Sequence, residues 1–178
     1  QFVQALYHLG WCYYMQDQYE EAIAVFRYLV EEVDLDFSKA RMEENQVVNP
    51  LLREEAIDYI AISFDERENF DEAIRFLRMI GSFDYSSMVL KRMGELREEV
   101  MDYEMAIVIY KFLEAEYPNT IAAPDASLNL IKIYESTKRP AEALQEREKF
   151  LQRFSRGTEW QKLFAEVDPK TVVRVDSQ

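Results

Sequence analysis

Four short blocks recur along the chain, and their spacing constrains the fold more than any other feature of the sequence. They are Tyr19-Glu20-Glu21-Ala22-Ile23, Phe70-Asp71-Glu72-Ala73-Ile74, Tyr103-Glu104-Met105-Ala106-Ile107 and Pro140-Ala141-Glu142-Ala143-Leu144. Their shared alanines lie 51, 33 and 37 residues apart. A repeating unit of about 34 residues explains the second spacing directly and the third with a small insertion. The first spacing exceeds it by roughly half a unit, so an insertion is expected between the first two copies.

A stretch of helical period precedes each block. Leu6, Leu9, Gly10 and Tyr13 share one stripe, as do Ile57, Ile60, Ala61 and Phe64. Leu90, Met93 and Gly94 repeat it with Arg97 in the aromatic place, and Leu130, Ile131 and Tyr134 form the fourth version. After each block comes a second amphipathic helix, with apolar positions such as Phe26 and Leu29, Leu77 and Ile80, or Tyr110 and Leu113. Turn signals part the two: Gln16-Asp17-Gln18, Arg67-Glu68-Asn69, Met101-Asp102 and Lys138-Arg139-Pro140. Proline suits the first position of a helix, where its missing N–H removes no bond.

Composition agrees with a helical reading. With 4 Gly and 5 Pro in 178 residues, the chain lacks the turn residues an all-β fold consumes. Its 48% hydrophobic content separates it from disordered chains. One Cys excludes an internal disulfide framework, and one His excludes most histidine-based zinc chemistry. Charges interrupt every apolar run well short of the ~20 residues that span a bilayer. The net charge of −13 is uneven: residues 1–60 carry 12 acidic and 4 basic side chains, 61–117 carry 13 and 7, and 118–178 carry 9 and 10. A negative field over two thirds of the chain repels phosphate backbones and anionic lipid, so nucleic acid is not an expected partner. A basic protein segment is the better match, although an acidic surface also serves solubility alone.

In its repeats the sequence resembles the tetratricopeptide repeat family. The likeness rests on Leu9-Gly10, Tyr13, Ala22 and Phe26, on Ala61, Phe64 and Ala73, and on Met93-Gly94, Ala106, Tyr110 and Pro118. The fourth copy departs from it, with Ile131 in the small-residue column and Arg147 in an aromatic one. The resemblance implies an all-α, right-handed superhelix of about four antiparallel helix pairs. It spans residues 1–166, with repeats at about 3–34, 54–86, 87–120 and 124–155. An insertion is expected at about 35–52, a short cap helix at about 158–166 and a tail at 167–178. Within the family, Phe112-Leu113-Glu114-Ala115-Glu116-Tyr117-Pro118-Asn119-Thr120 is similar to segments of bacterial cell-envelope members, the TolA-binding and outer-membrane assembly lipoprotein types. That likeness implies a periplasmic scaffold, with a cytoplasmic setting as the alternative. The chain opens at Gln1 without Met and enters its helical pattern at Phe2, which reads as part of a longer protein.

The insertion has room for about two helical turns over 37–45, followed by Val47-Val48-Asn49-Pro50 as a loop leading into the next helix, with Pro50 near its start. It either closes part of a groove or is a tolerated surface excursion. Asp34-Leu35-Asp36-Phe37-Ser38 spaces oxygens as a calcium loop begins, but Lys39 replaces the turn glycine and Asn45 the closing glutamate. Beyond Gly157, Thr158 can cap a helix bearing Trp160, Leu163 and Phe164, suited to covering the last repeat. Val172-Val173-Arg174-Val175 reads as frayed or extended.

No catalytic pattern emerges. His8 and Cys12 lie one helical turn apart but lack further ligands or an oxyanion site, so a buried thiol beside a polar residue is expected. Phosphate loops, dinucleotide fingerprints and HExxH are missing from the sequence, and neither a cofactor nor a metal is expected.

Recognition is the remaining function. In the family the first helix of each pair lines the concave face. The side away from the packing stripe offers Tyr7, Trp11 and Tyr14, flanked by Gln4 and Met15. It then offers Asp58, Ile62 and Asp65 with Glu55 and Glu66, next Lys91, Glu95 and Glu98 with Met88 and Glu99, and last Lys132 with Asp125, Leu128 and Glu135. The expectation is a non-catalytic scaffold whose aromatic and acidic groove takes a peptide or helix with apolar anchors and basic residues. The alternative is a structural spacer or self-association module in a longer repeat protein. On that alternative the aromatic ridge is core against a preceding pair, or the contact of a homodimer.

The alanine columns carry a test of the helix pairing. Ala106→Leu is expected to overpack one pair and to lower stability by about 1–3 kcal/mol in chemical denaturation. Unchanged stability would show that Ala106 faces no second helix.

Overall fold

Small residues where helices meet, and large ones beside them, give this chain its local architecture. A computed structural model describes residues 2–40, 50–80 and 84–164. Among the described residues the fold is all-α, with helices packed as consecutive pairs in two compact units, Gln1–Gly81 and Ser82–Gln178. The first unit holds α1 (Phe2–Tyr14), α2 (Tyr19–Ala40), α3 (Pro50–Glu66) and α4 (Phe70–Ile80). In the second are α5 (Asp84–Glu99), α6 (Tyr103–Glu116), α7 (Ala123–Ser136), α8 (Pro140–Phe154) and α9 (Glu159–Phe164).

The four matched alanines all lie inside: Ala22, Ala73 and Ala106 are fully buried and Ala143 nearly so. Their partners in the small-residue column explain why. A Cβ added to Gly10 would stand 2.8 Å from the ring of Phe26, and one added to Gly94 would run into the ring of Tyr110. The absence of a side chain therefore lets the first helix lie directly on an aromatic of the second. In the fourth pair the exchange runs the other way. Ile131 fills the small-residue column, Arg147 replaces the ring, and both line a shared cleft between α7 and α8.

Each turn within a pair uses a left-handed residue at the same register: Asp17, Glu68, Met101 and Lys138, with φ between 50° and 61°. Left-handed backbone is costly for residues bearing a Cβ. At three of the four turns, bonds from the following residue offset that cost. The Gln18 N–H donates to the Tyr13 carbonyl (3.0 Å), Asp102 to Arg97 (2.8 Å) and Arg139 to Tyr134 (2.7 Å), closing a Schellman turn on the preceding helix. The next helix is then capped: Asp102 Oδ1 accepts from the Met105 N–H and Asn69 Oδ1 from the Glu72 N–H.

The segment expected as an insertion begins as a continuation of α2, which runs to Ala40, and α3 opens at Pro50, where the sequence puts a helix start. The remainder, 41–49, lies outside the described residues, as does the tail with Val172–Val175. The cap helix forms as α9, with the Thr158 hydroxyl accepting from the Gln161 N–H. Its Trp160 is buried edge-on to Phe154 (5.5 Å between centroids) and donates through Nε1 to the Thr120 carbonyl (2.9 Å).

Unit 2 encloses an ionic cluster between α6, α7 and α8. Glu114 accepts from the Ser127 hydroxyl and lies 3.3 Å from Arg153, while the buried Glu146 pairs with Lys149 at 3.1 Å. Burial pushes the Glu114 carboxyl above its ordinary pKa, and the neighbouring Glu146 adds to the rise against the opposing pull of Ser127, Arg153 and Lys149. A carboxyl held high in the fold binds its proton more tightly there than in the unfolded chain. It therefore favours folding at low pH, and that contribution is lost as pH rises through the raised value. Comparing wild type with Glu114→Gln by urea denaturation across pH, the balance is expected to shift against wild type from about pH 4 toward neutrality. A pH-independent difference would remove Glu114 as the source.

Candidate functional site

The expected ridge of Tyr7, Trp11 and Tyr14 gathers around a residue that the repeat register does not mark, Tyr59 of α3. Tyr59 stacks on the buried Phe26 ring, with centroids 5.1 Å apart and planes 11° from parallel. Tyr14 approaches it edge-on at 5.2 Å and Tyr7 at 6.3 Å, and the Trp11 Nε1 donates to its hydroxyl at 3.1 Å. Edge-on and stacked pairs of this kind add to ordinary apolar burial. Trp11 stays 40% exposed, and Tyr7, Tyr14 and Tyr59 are half-buried, so the cluster is anchored beneath and open above. Tyr59 falls in the column of His8, where nothing in the repeat draws attention to it. The spacing 55, 59, 62, 66 along one helical stripe is the signal that would have found it.

Glu55 and Glu66 of α3 lie beside these rings, at Tyr7 and Tyr14. Between 54 and 66 the chain carries Glu54, Glu55, Asp58, Asp65 and Glu66 and no Lys or Arg. Asp58 is exposed, while Ile62 and Asp65 are half-buried. The arginines on either side have acidic partners outside this stretch. Arg53 makes a two-pronged bond to Asp34 (2.5 and 3.1 Å), and Arg67 pairs with Glu20 (2.9 Å) and Glu72 (3.0 Å). The field reaches the phenols: burial and a hydrogen bond with Glu55 push the Tyr7 hydroxyl up to about 12, and burial together with Glu66 raises Tyr14. Both stay neutral under ordinary conditions, as donors and as π faces beside negative charge.

Unit 2 treats its expected residues differently. Lys91 pairs with Glu95 at 2.5 Å along one helix face, and Arg92 pairs with Glu99 at 2.8 Å and with Glu95 at 3.8 Å. Glu98 accepts from the buried Tyr110 hydroxyl (2.5 Å), whose oxygen in turn accepts from the Asn129 amide (3.0 Å). Burial and Glu98 raise the Tyr110 hydroxyl well above its usual value, which keeps it a donor. Lys132 is exposed, with its ammonium 3.4 Å from Asn129 Oδ1. Glu95, Glu98 and Glu99 thus serve contacts within α5 and α6, and they do not form a uniform acidic strip. His8 and Cys12 are both exposed, which corrects the expectation of a buried thiol: they lie on a side of α1 that no other helix covers among the described residues.

Residues 4–33 match the family model of the tetratricopeptide repeat, a span that takes in nearly all of α1 and the first four turns of α2. No curated protein matches the chain. Tetratricopeptide repeats are in general protein-interaction modules and not catalysts, and residues 4–33 hold most of the aromatic cluster. No helix among the described residues is long and apolar enough to cross a membrane.

Because four side chains lean on one ring, Tyr59 has two separable roles. Tyr59→Phe keeps the stack and loses only the Trp11 bond, an expected loss of about 0.5–1 kcal/mol in urea denaturation. Tyr59→Ala is expected to cost about 2 kcal/mol, less than the ~3–5 of a fully buried ring.

Proposed function

We propose that this protein is an interaction scaffold whose α1–α3 surface binds a peptide or helix bearing Lys or Arg between apolar anchors. The observation that carries this reading is the coincidence of four aromatic rings with Glu55 at Tyr7 and Glu66 at Tyr14, in a stretch over 54–66 that has no Lys or Arg. A guanidinium or ammonium above Trp11 or Tyr14 gains both cation–π and carboxylate contact, and an apolar anchor beside it meets Ile62 and the ring edges. We favour a bacterial cell envelope as the setting, on the likeness of residues 112–120 alone.

A labelled helical peptide that alternates Leu with Arg serves as the probe in fluorescence anisotropy. It is expected to bind with a dissociation constant that rises with salt, whereas a Leu/Glu peptide of the same length does not bind. Glu55→Lys with Glu66→Lys is expected to weaken binding on the order of tenfold, and Trp11→Ala by a similar factor. Equal binding of the acidic peptide, or salt-independent binding untouched by these changes, would reject the reading.

A further inference from the structure

Two rows of side chains lie side by side on unit 1, and both step by helical turns. On α3 the row is Glu55, Tyr59, Ile62 and Glu66, at intervals of 4, 3 and 4 residues; on α1 it is Tyr7, Trp11 and Tyr14, at 4 and 3. Such intervals keep side chains on one face of a helix. Cross-contacts tie the rows together. Tyr7 shares a hydrogen bond with Glu55, Trp11 Nε1 donates to the Tyr59 hydroxyl (3.1 Å), and Tyr14 lies edge-on to Tyr59 at 5.2 Å with Glu66 beside it. The rows therefore run in the same direction. Glu55 and Glu66 are exposed, and Tyr59 and Ile62 between them are half-buried. The joint surface is apolar in its middle and carries a carboxylate at each end, with no Lys or Arg over 7–14 or 54–66 to neutralise either.

The two carboxylates stand eleven residues apart on one helix, about 16 Å along its axis. A partner that meets both must place two cations at that separation on one of its own faces. An extended segment covers this distance in about five residues, but residues an odd number apart point to opposite sides of it. Steps of four or six residues miss the distance by about 3 Å. A helix covers it in eleven residues, which is three turns to within about 20°, so both cations share a face with the fourth and seventh residues between them. Two neighbouring ridges of this spacing also leave a groove that takes the ridge of a third helix.

We infer that the partner is an amphipathic helix with Lys or Arg at positions i and i+11 and apolar side chains at i+4 and i+7. The basic pair meets Glu55 and Glu66, and the apolar pair meets Tyr59, Ile62 and the edge of Trp11. The 4-3-4 pattern reads the same in both directions, so the partner fits with either polarity. The inference rests on the peptide-binding reading and narrows it: the spacing of the cations, and not their number alone, sets the affinity.

Two labelled peptides of identical composition test it by fluorescence anisotropy. Each carries two Arg and two Leu in a helical Ala/Gln host, and circular dichroism checks that their helix contents agree. In the matched peptide Arg stands at i and i+11 around Leu at i+4 and i+7; in the shifted one the second Arg moves to i+9, on the opposite face. The matched peptide is expected to bind wild type more tightly by a factor on the order of ten. Both are expected to bind alike to the double variant Glu55→Gln with Glu66→Gln, whose exposed positions leave the fold unchanged. Proline at i+5 breaks the helix of the matched peptide and is expected to remove its advantage. Equal, salt-sensitive binding of matched and shifted peptides to wild type overturns the inference and leaves the wider reading standing. A preference that survives the double variant also overturns it, as does a proline-containing peptide that binds as well as the matched one. A matched peptide that does not bind overturns it too, and the alternating Leu/Arg peptide then decides whether the wider reading falls with it.

Discussion

The constraint on which each unit rests is the summed volume at the point where two helices of a pair cross. Gly10 admits Phe26, Gly94 admits Tyr110, and the exchange of glycine for Ile131 goes with the exchange of a ring for Arg147. Interiors are packed to nearly constant density, so one member of each column cannot change without its partner. Fixing that distance fixes which residues of the second helix face inward, and hence why Ala22, Ala73, Ala106 and Ala143 are buried. The aromatic cluster follows from the same crossing, since Phe26 is held in place by Gly10 and Tyr59 stacks on Phe26.

What could be read from the sequence was whatever depends on apolar period and residue size. Helix pairs, the small-residue columns, the cap helix with Trp160 and the start of α3 at Pro50 are of that kind. The turn geometry was not legible. Asp17, Glu68, Met101 and Lys138 share a left-handed conformation with no glycine among them, and at Asp17, Met101 and Lys138 the bond from the following N–H offsets the Cβ penalty. Nor were Tyr59 and the exposure of Leu9 and Cys12, which depend on which helix lies against which face. Periodicity shows that a face is apolar; it does not say whether anything covers it. For α1 both sides qualify, and among the described residues only one is covered.

The acidic surplus has different consequences in the two units. In α5, Lys91 and Arg92 lie one or two turns from Glu95 and Glu99, so the field of those acids is matched within the helix. Such partly exposed pairs contribute little to stability, and their main effect is to remove charge that a partner would otherwise meet. In α3 the run 54–66 has no basic member, and Arg53 and Arg67 turn to Asp34, Glu20 and Glu72. Unit 1 therefore keeps a negative field beside its rings, and sequence charge counts alone do not separate the two cases.

A repeat pair is stabilised through its neighbours, since each first helix lies on the pair before it and each pair offers a cleft to the next helix. In unit 2 this is visible step by step: α7 lies on α6 with Ala123, Ala126, Leu130 and Ile133 buried, and α9 then begins to cover the last pair. Trp160 lies edge-on to Phe154 of α8 and donates to the Thr120 carbonyl ahead of α7, so one side chain ties the end of the last pair to the turn that opens it.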